Sequence, residues 1–289
     1  MECFRTIESL KSALAKFRNQ DKKIGFVPTM GALHGGHLKL VEFAQQECDI
    51  VVVSIFVNPT QFNNSGDLDK YPKREEEDLG LLEEASCDVV IIPQPEDVYP
   101  DHYTKNTIPL GIIDKVMEGE FRPGHFQGVV NVVSRFFEII EPSKAYFGNK
   151  DFQQVAVIKR MVQELKLPVE VIGVPTKRMA NGLAMSSRNY RLSEKEVEES
   201  SIIYKTLVKG REWASKYSPA VTRTKMIEYF NQSPLQLEYL QIVHPETMED
   251  LNQYWVSGAI AGLAAFSGEV RLIDNMELVE ENSKELLSN

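Results

Sequence analysis

The sequence predicts an α/β protein in two parts: a parallel sheet with helices on both faces, then a smaller C-terminal α+β domain with a short antiparallel sheet. Three observations predict it. Apolar runs as short as buried parallel strands alternate with amphipathic helical stretches as far as Pro175. Beyond Pro175 the alternation stops, and two helical stretches precede LEYLQIV, AIAGLAAF and VRLIDNM, separated by polar turns. The first apolar run also feeds a glycine-punctuated turn that opens a helix, as in Rossmann-like domains. The expected domains are 1–175 and 176–289.

Residues 5–19 place Ile7, Leu10, Leu14 and Phe17 on one face, an amphipathic opening helix. Ile24 to Pro28 is the first strand, and the helix resuming at Gly36 carries Leu38, Val41 and Ala44. Asp49 to Val57 is the strongest apolar run, stopped by Asn58-Pro59. A polar loop from Gln61 to Pro72 leads to a charged helix around Arg74 to Ala85. Its acidic run, Glu75-Glu76-Glu77-Asp78, reads as a solvated helix start. Cys87 to Pro93 is the third strand, and a loop from Tyr99 to Leu110 precedes an apolar helix, Gln127 to Ile140. Lys144 to Phe147 is the fourth strand, broken by Gly148-Asn149-Lys150-Asp151 before a helix from Phe152 to Leu165. VEVIGV is the fifth. Helices at Glu194–Lys216 and Ala220–Asn231 complete the expectation.

Composition narrows the function. The net charge of −10 and the lack of a basic tail argue against nucleic acid as a partner. Any polyanion must therefore be met by local cations against the global field. Cys3, Cys48 and Cys87 have no metal spacing and read as reduced thiols. No apolar run reaches membrane-spanning length and no signal-peptide pattern is present, so a cytoplasmic protein is expected.

The turn from Thr29 to His37 is where chemistry is expected. Free N–H groups and the positive dipole end of a helix favour an anion there. A P-loop is excluded, because His37 and Leu38 stand where Lys and Ser/Thr belong after Gly31 and Gly36. The dinucleotide fingerprint is absent too. What is present, His34-Gly35-Gly36-His37, resembles the His-x-Gly-His signature of nucleotidylyltransferases and class I aminoacyl-tRNA synthetases. Paired imidazoles can donate to a triphosphate as charge builds in the transition state. Ligands of open α/β sheets bind beyond the carboxyl ends of the strands. Beyond those ends this chain places Asn58, Thr60 and Gln61; then Gly148, Lys150 and Asp151, with Gln154 one turn on; then Thr176, Lys177 and Arg178, and Met185-Ser186-Ser187-Arg188.

These segments resemble the pantothenate synthetase (pantoate–β-alanine ligase) family along the whole chain, in order. The matches are Pro28-Thr29-Met30-Gly31-Ala32-Leu33-His34-Gly35-Gly36-His37, Val57-Asn58-Pro59-Thr60-Gln61-Phe62 and Arg122-Pro123-Gly124-His125-Phe126. Phe147-Gly148-Asn149-Lys150-Asp151-Phe152-Gln153-Gln154, Met185-Ser186-Ser187-Arg188-Asn189 and Arg271-Leu272-Ile273-Asp274-Asn275 continue the series. Asn149 stands where the family usually has Glu, Gln or Lys, and Lys177 where it often has an aliphatic residue near adenine.

The resemblance implies a two-step ligation. The carboxylate of (R)-pantoate attacks the α-phosphate of ATP, and β-alanine's amine then displaces AMP from pantoyl adenylate. It implies an ATP site from Pro28 to His37, Gly148 to Asp151, Lys177 and Met185 to Arg188. The implied catalytic donors are His34, His37, Lys150, Ser186, Ser187 and Arg188, with Gln61, Gln154, Asn58 and Met30 around pantoate and β-alanine. Mg²⁺ is expected to enter with ATP, held chiefly by phosphate oxygens and water, with no protein ligands assigned. A homodimer and a C-terminal domain that closes over the substrates are also expected. Two other readings share the pattern: a nucleotidylyltransferase that leaves AMP on its product, and a non-catalytic nucleotide-binding regulator.

Overall fold

The computed structural model describes residues 1–61 and 71–280; most of the polar loop expected at Gln61–Pro72, with Phe62, lies outside them. Six strands form one sheet: β1 (Glu2–Phe4), β2 (Ile24–Thr29), β3 (Ile50–Ile55), β4 (Val89–Ile91), β5 (Lys144–Gly148) and β6 (Glu170–Val174). Their order is β1-β4-β3-β2-β5-β6 and every pair is parallel. The expected Rossmann-like sheet is therefore present, with one strand more. The sequence reading placed nothing before the opening helix, yet Glu2, Cys3 and Phe4 pair with Val89, Val90 and Ile91. Three largely exposed residues carry no periodicity from which a strand could be read.

Both faces of the sheet are covered. Val27, Val51 and Val53 pack with Leu40, Val41 and Ala44 of the helix Gly35–Glu47. On the other face the Phe26 ring lies 5.7 Å from Phe136, on the helix His125–Ile140. Successive residues of a strand point to opposite faces, so a strand buried on both must be apolar throughout. From β2 the chain steps outward through β3 and β4, then returns to β5 on the other side of β2. In open α/β sheets ligands bind where the strand order reverses in this way, which here is at the carboxyl ends of β2 and β5.

The chain divides into two compact units, 1–110 with 122–176, and 111–121 with 177–289. Residues 111–121 thus depart from the contiguous division at 175/176. Glu118 shows why. Its carboxylate receives both Nη1 and Nη2 of Arg271, at 2.9 and 2.7 Å, and the Tyr239 hydroxyl at 2.9 Å. Arg271 also donates Nε to Glu238 at 2.9 Å. Burial alone would lower the Arg271 pKa, but the hydrogen bonds and charges of Glu118 and Glu238 carry it above the ordinary value. Burial and the Glu118 charge push the Tyr239 phenol well up.

The second unit holds an antiparallel sheet, β7 (Gln236–Val243), β8 (Ile260–Ser267) and β9 (Val270–Glu277), in the order β7-β8-β9. Its core joins Leu240, Ile242 and Leu263 to Leu207, Met226 and Phe230 of the helices Ile202–Ala214 and Pro219–Phe230. The single helix expected over Glu194–Lys216 is two, Glu194–Ser200 and Ile202–Ala214. Between them the Ser201 hydroxyl donates to the Glu198 carbonyl at 2.6 Å, a local bond that competes with the helical ladder. Among the described residues no helix is long and apolar enough to cross a membrane.

Candidate active site

The β2 turn is fixed from both sides. Thr29 Oγ1 donates to the Ser54 carbonyl of β3 at 2.7 Å and accepts from Gly31 N at 3.2 Å. Gly31 and Ala32 then take left-handed backbone angles, φ 79° and 48°. A side chain in that region costs about 1–2 kcal/mol, so Ala32 is held there by something stronger. Its amide and that of Leu33 donate to Asp78 Oδ2 and Oδ1, at 2.8 and 2.6 Å.

Asp78 corrects the sequence reading. Glu75, Glu76 and Glu77 are exposed as expected, but Asp78 is only 1% exposed and serves the turn. Four consecutive acids at a helix start look alike locally, and tertiary packing decides which one turns inward. Burial raises the Asp78 pKa, and the Leu33 and Ala32 amides offset only part of that rise.

His34 is the N-cap of the helix Gly35–Glu47. Its Nδ1 accepts from Gly36 N at 3.1 Å, and its own amide donates to His37 Nδ1 at 3.3 Å. The rings lie 4.1 Å apart, tilted by 34°. Each Nδ1 is an acceptor in these bonds, which assigns the proton of each neutral ring to Nε2. Burial, reinforced by the charges of His34 and Lys150, drives the His37 pKa well below the imidazole norm. His37 is therefore a neutral Nε2–H donor at pH 7.

Past the carboxyl end of β5, the neighbour of β2, come Gly148, Asn149, Lys150 and Asp151. Lys150 Nζ lies 3.4 Å from Asp151 Oδ1. Asp151 is the N-cap of the helix Phe152–Glu164, yet its side chain makes no cap bond. A Cβ on Gly173 of β6 would come within 2.3 Å of Asn149 Oδ1, so the glycine of VEVIGV makes room for that side chain. Gln154 is partly exposed on this helix, whereas Gln153 is buried.

Asn58 and Gln61 lie beyond β3. Asn58 is 1% exposed; its Nδ2 donates to the Gly128 carbonyl at 3.3 Å, and its Oδ1 accepts from Thr60 N, Thr60 Oγ1 and the Tyr99 hydroxyl. The amide expected from sequence as a substrate contact also shapes the turn. His125 Nδ1 donates to the Gln61 carbonyl at 3.0 Å, and a Cβ on Gly128 would sit 2.5 Å from the Thr60 carbonyl. Tyr99, His125 and Gly128 were not assigned a role from sequence. The Arg122-to-Phe126 motif pointed to this stretch without showing what it holds.

In the second unit Lys177 and Met185 face each other in a hairpin, with Met185 N donating to the Lys177 carbonyl at 3.0 Å. Ser186 caps the short turn Ser187–Arg191: its Oγ accepts from Arg188 N at 3.3 Å, and its amide donates to Asn189 Oδ1 at 2.7 Å. Ser187 is buried, while Met185 and Arg188 are partly exposed. Arg178, also noted from sequence, is engaged elsewhere. It pairs through two nitrogens with buried Asp274 and lies 4.7 Å over the Tyr204 ring. The terminal motif, Arg271 to Asn275, is therefore framework.

An imidazole pair at a helix start, with a lysine beyond the adjacent strand, offers hydrogen-bond donors and a cation in one part of an α/β protein. The profile described as pantoate-beta-alanine ligase matches residues 2–277, and the chain belongs to that family. Pantothenate synthetase from Porphyromonas gingivalis is 46% identical over 279 residues, 96% of this chain and 99% of that one. The enzyme from Bacteroides thetaiotaomicron is 43% identical, over 97% of this chain and all of that one. The crystal structure of pantothenate synthetase from Thermus thermophilus superposes with a TM-score of 0.91 at 44% identity, covering 96% of this chain and 100% of that one. The ligase of Francisella tularensis, solved with β,γ-ATP and β-alanine, gives 0.82 at 36%, covering 96% and 98%.

Proposed function

We propose that this chain condenses (R)-pantoate with β-alanine to pantothenate at the expense of ATP, through a pantoyl adenylate. The carrying observation is the pair of imidazoles whose Nδ1 atoms accept backbone amides, which leaves Nε2 of each to donate, with His37 held neutral by burial beside the Lys150 charge. Neutral donors add hydrogen bonds without trapping the product by excess charge. Lys150 supplies a local cation to a chain whose overall charge would repel an anion. The pantoate carboxylate forms a bond to the α-phosphorus as the bond to pyrophosphate breaks. The β-alanine nitrogen then bonds to the acyl carbon, AMP leaves, and the amine gives up a proton.

In this reading Gln61 and Gln154 meet pantoate's hydroxyls and carboxylate with amide donors and acceptors. Met30 and the end of β2 border the same place, and Ser186, Ser187, Arg188 and Lys177 serve the nucleotide. Mg²⁺ would arrive on ATP, held chiefly by phosphate oxygens and water. There it would neutralise phosphate charge. Family membership also supports a homodimer.

The test is isotope exchange between pyrophosphate and ATP. Pantoate alone should support it, because the adenylate forms before any amine is needed. Exchange that waits for β-alanine would exclude the two-step route. AMP release that depends on β-alanine separates this reading from a nucleotidylyltransferase, and turnover itself separates it from a regulator.

A further inference from the structure

We propose that Asp78 is a positioning residue for the reaction: by receiving the Ala32 and Leu33 amides, it holds the β2 turn in the conformation that presents His34 and His37 to the nucleotide. The proposal rests on the ATP-dependent reading of the site. Two successive amides converge on one anion only when the backbone between them curls, and the left-handed angles of Gly31 and Ala32 supply that curl. Such a concavity of N–H groups is an anion nest. In many loops a phosphate fills it; here the chain's own carboxylate does, from 46 and 45 residues away.

The consequence reverses part of the sequence reading. The Ala32 and Leu33 amides do not await phosphate. What the loop offers is the imidazole pair and the first turn of the helix Gly35–Glu47. The cradle also fits its occupant closely, since a Cβ on Gly31 would lie 3.0 Å from Asp78 Oδ2 and 3.1 Å from Ile55. A carboxylate kept 1% exposed, with amides as partners and both oxygens used, is costly to bury. Arg74 and Glu77 bear on it with opposite and smaller effects than burial does. Leu33 is itself 2% exposed, so the turn is clamped between an apolar anchor and a charged one, one residue before His34.

Two variants test this in the full chain. Asp78→Asn keeps the shape but turns an N–H toward one of the two amides. Asp78→Glu keeps the charge but moves it by a methylene, and serves if the first does not fold. Both are expected to lower kcat/KM for ATP by roughly 10- to 100-fold, the scale of an ångström-sized misplacement of catalytic groups. The KM for pantoate at saturating ATP should stay within about twofold, and amide hydrogen exchange at Ala32 and Leu33 should accelerate. Leu14→Ala, a core truncation on the helix Ile7–Arg18, is the control for stability loss alone. Unchanged ATP kinetics in the Asp78 variants, or an equal loss in Leu14→Ala at matched stability, would overturn the proposal. A native chain that makes no pantothenate sinks the ligase reading instead, and the exchange rates alone then decide whether Asp78 holds the turn.

Discussion

Lys144 opens β5 and Lys150 lies just past its end, and the two lysines live in opposite electrostatic settings. Lys144 Nζ is 2.9 Å from Glu47 and 3.3 Å from Glu170, and the Tyr146 hydroxyl donates to the same Glu47 at 2.9 Å. The hydrogen bonds from Lys144 and then Tyr146 hold the Glu47 carboxyl below its ordinary pKa, and Glu47 in turn raises Lys144. At the amino end of the sheet, charge answers charge. At the carboxyl end, Lys150 has its adjacent Asp151 at 3.4 Å, and its field reaches across to His37. One end of the strand joins its charges across three elements of the sheet and its helices; the other pairs chain neighbours at the end of the sheet where ligands bind in folds of this class.

The sharpest way to break this comparison is to remove the donors at the carboxyl end. Lys150→Ala or His37→Ala should cost roughly 10²-fold or more in turnover, the scale of losing a preorganised donor to transition-state charge. Thermal unfolding should hardly change in Lys150→Ala, and in His37→Ala by no more than a lost cap bond, about 0.5–2 kcal/mol. A variant with normal turnover leaves the catalytic set. Next in size are Gln61→Ala and Gln154→Ala, at about 1–3 kcal/mol each in the pantoate step. Initial rates against pantoate at fixed ATP would show it; a raised ATP requirement with unchanged pantoate dependence would mean the glutamines are misplaced.

The His37 environment sharpens the contrast through pH. Its folded pKa lies well below the unfolded value of about 6.5, so below that pH the unfolded chain binds more protons. Stability contributed by neutral His37 is therefore complete above about pH 7 and lost as pH falls below about 6.5. Urea midpoints at pH 7.5 and 5.0 should fall further in the native chain than in His37→Gln. Equal falls would show that His37 is not held neutral. The smallest effect is expected at the other end of β5, where Lys144→Ala should leave turnover within about twofold, as for partly exposed ion pairs elsewhere. A large loss there would dissolve the distinction between the two ends.

Much of this was legible because the signals are local. Parallel strands buried on both faces are apolar throughout, so Ile50–Ile55 stands out. The histidines flank a helix start that glycine turns announce. What was not legible depends on distant pairing. β1 becomes a strand only because β4, far along the chain, offers its edge. Asp78 differs from Glu77 by a rotation about the helix, and Asn58 by which neighbours fold onto it. Glu118 belongs to the second unit through Arg271, and nothing near residue 118 says so.

That last contact has a temporal side. Glu118 and Arg271 are 153 residues apart, and at a ribosomal pace of 5–20 residues per second the arginine emerges roughly 8–30 s after the glutamate. In the later part of that interval, once residue 176 has emerged, the first unit has all its strands available while residues 111–121 form an excursion that still lacks its partners in the second. A chain stopped near residue 176 would keep that excursion for good, with a glutamate whose partner is never synthesised. Deleting 111–121 from such a fragment, and closing the gap with a short flexible linker, should raise its soluble yield.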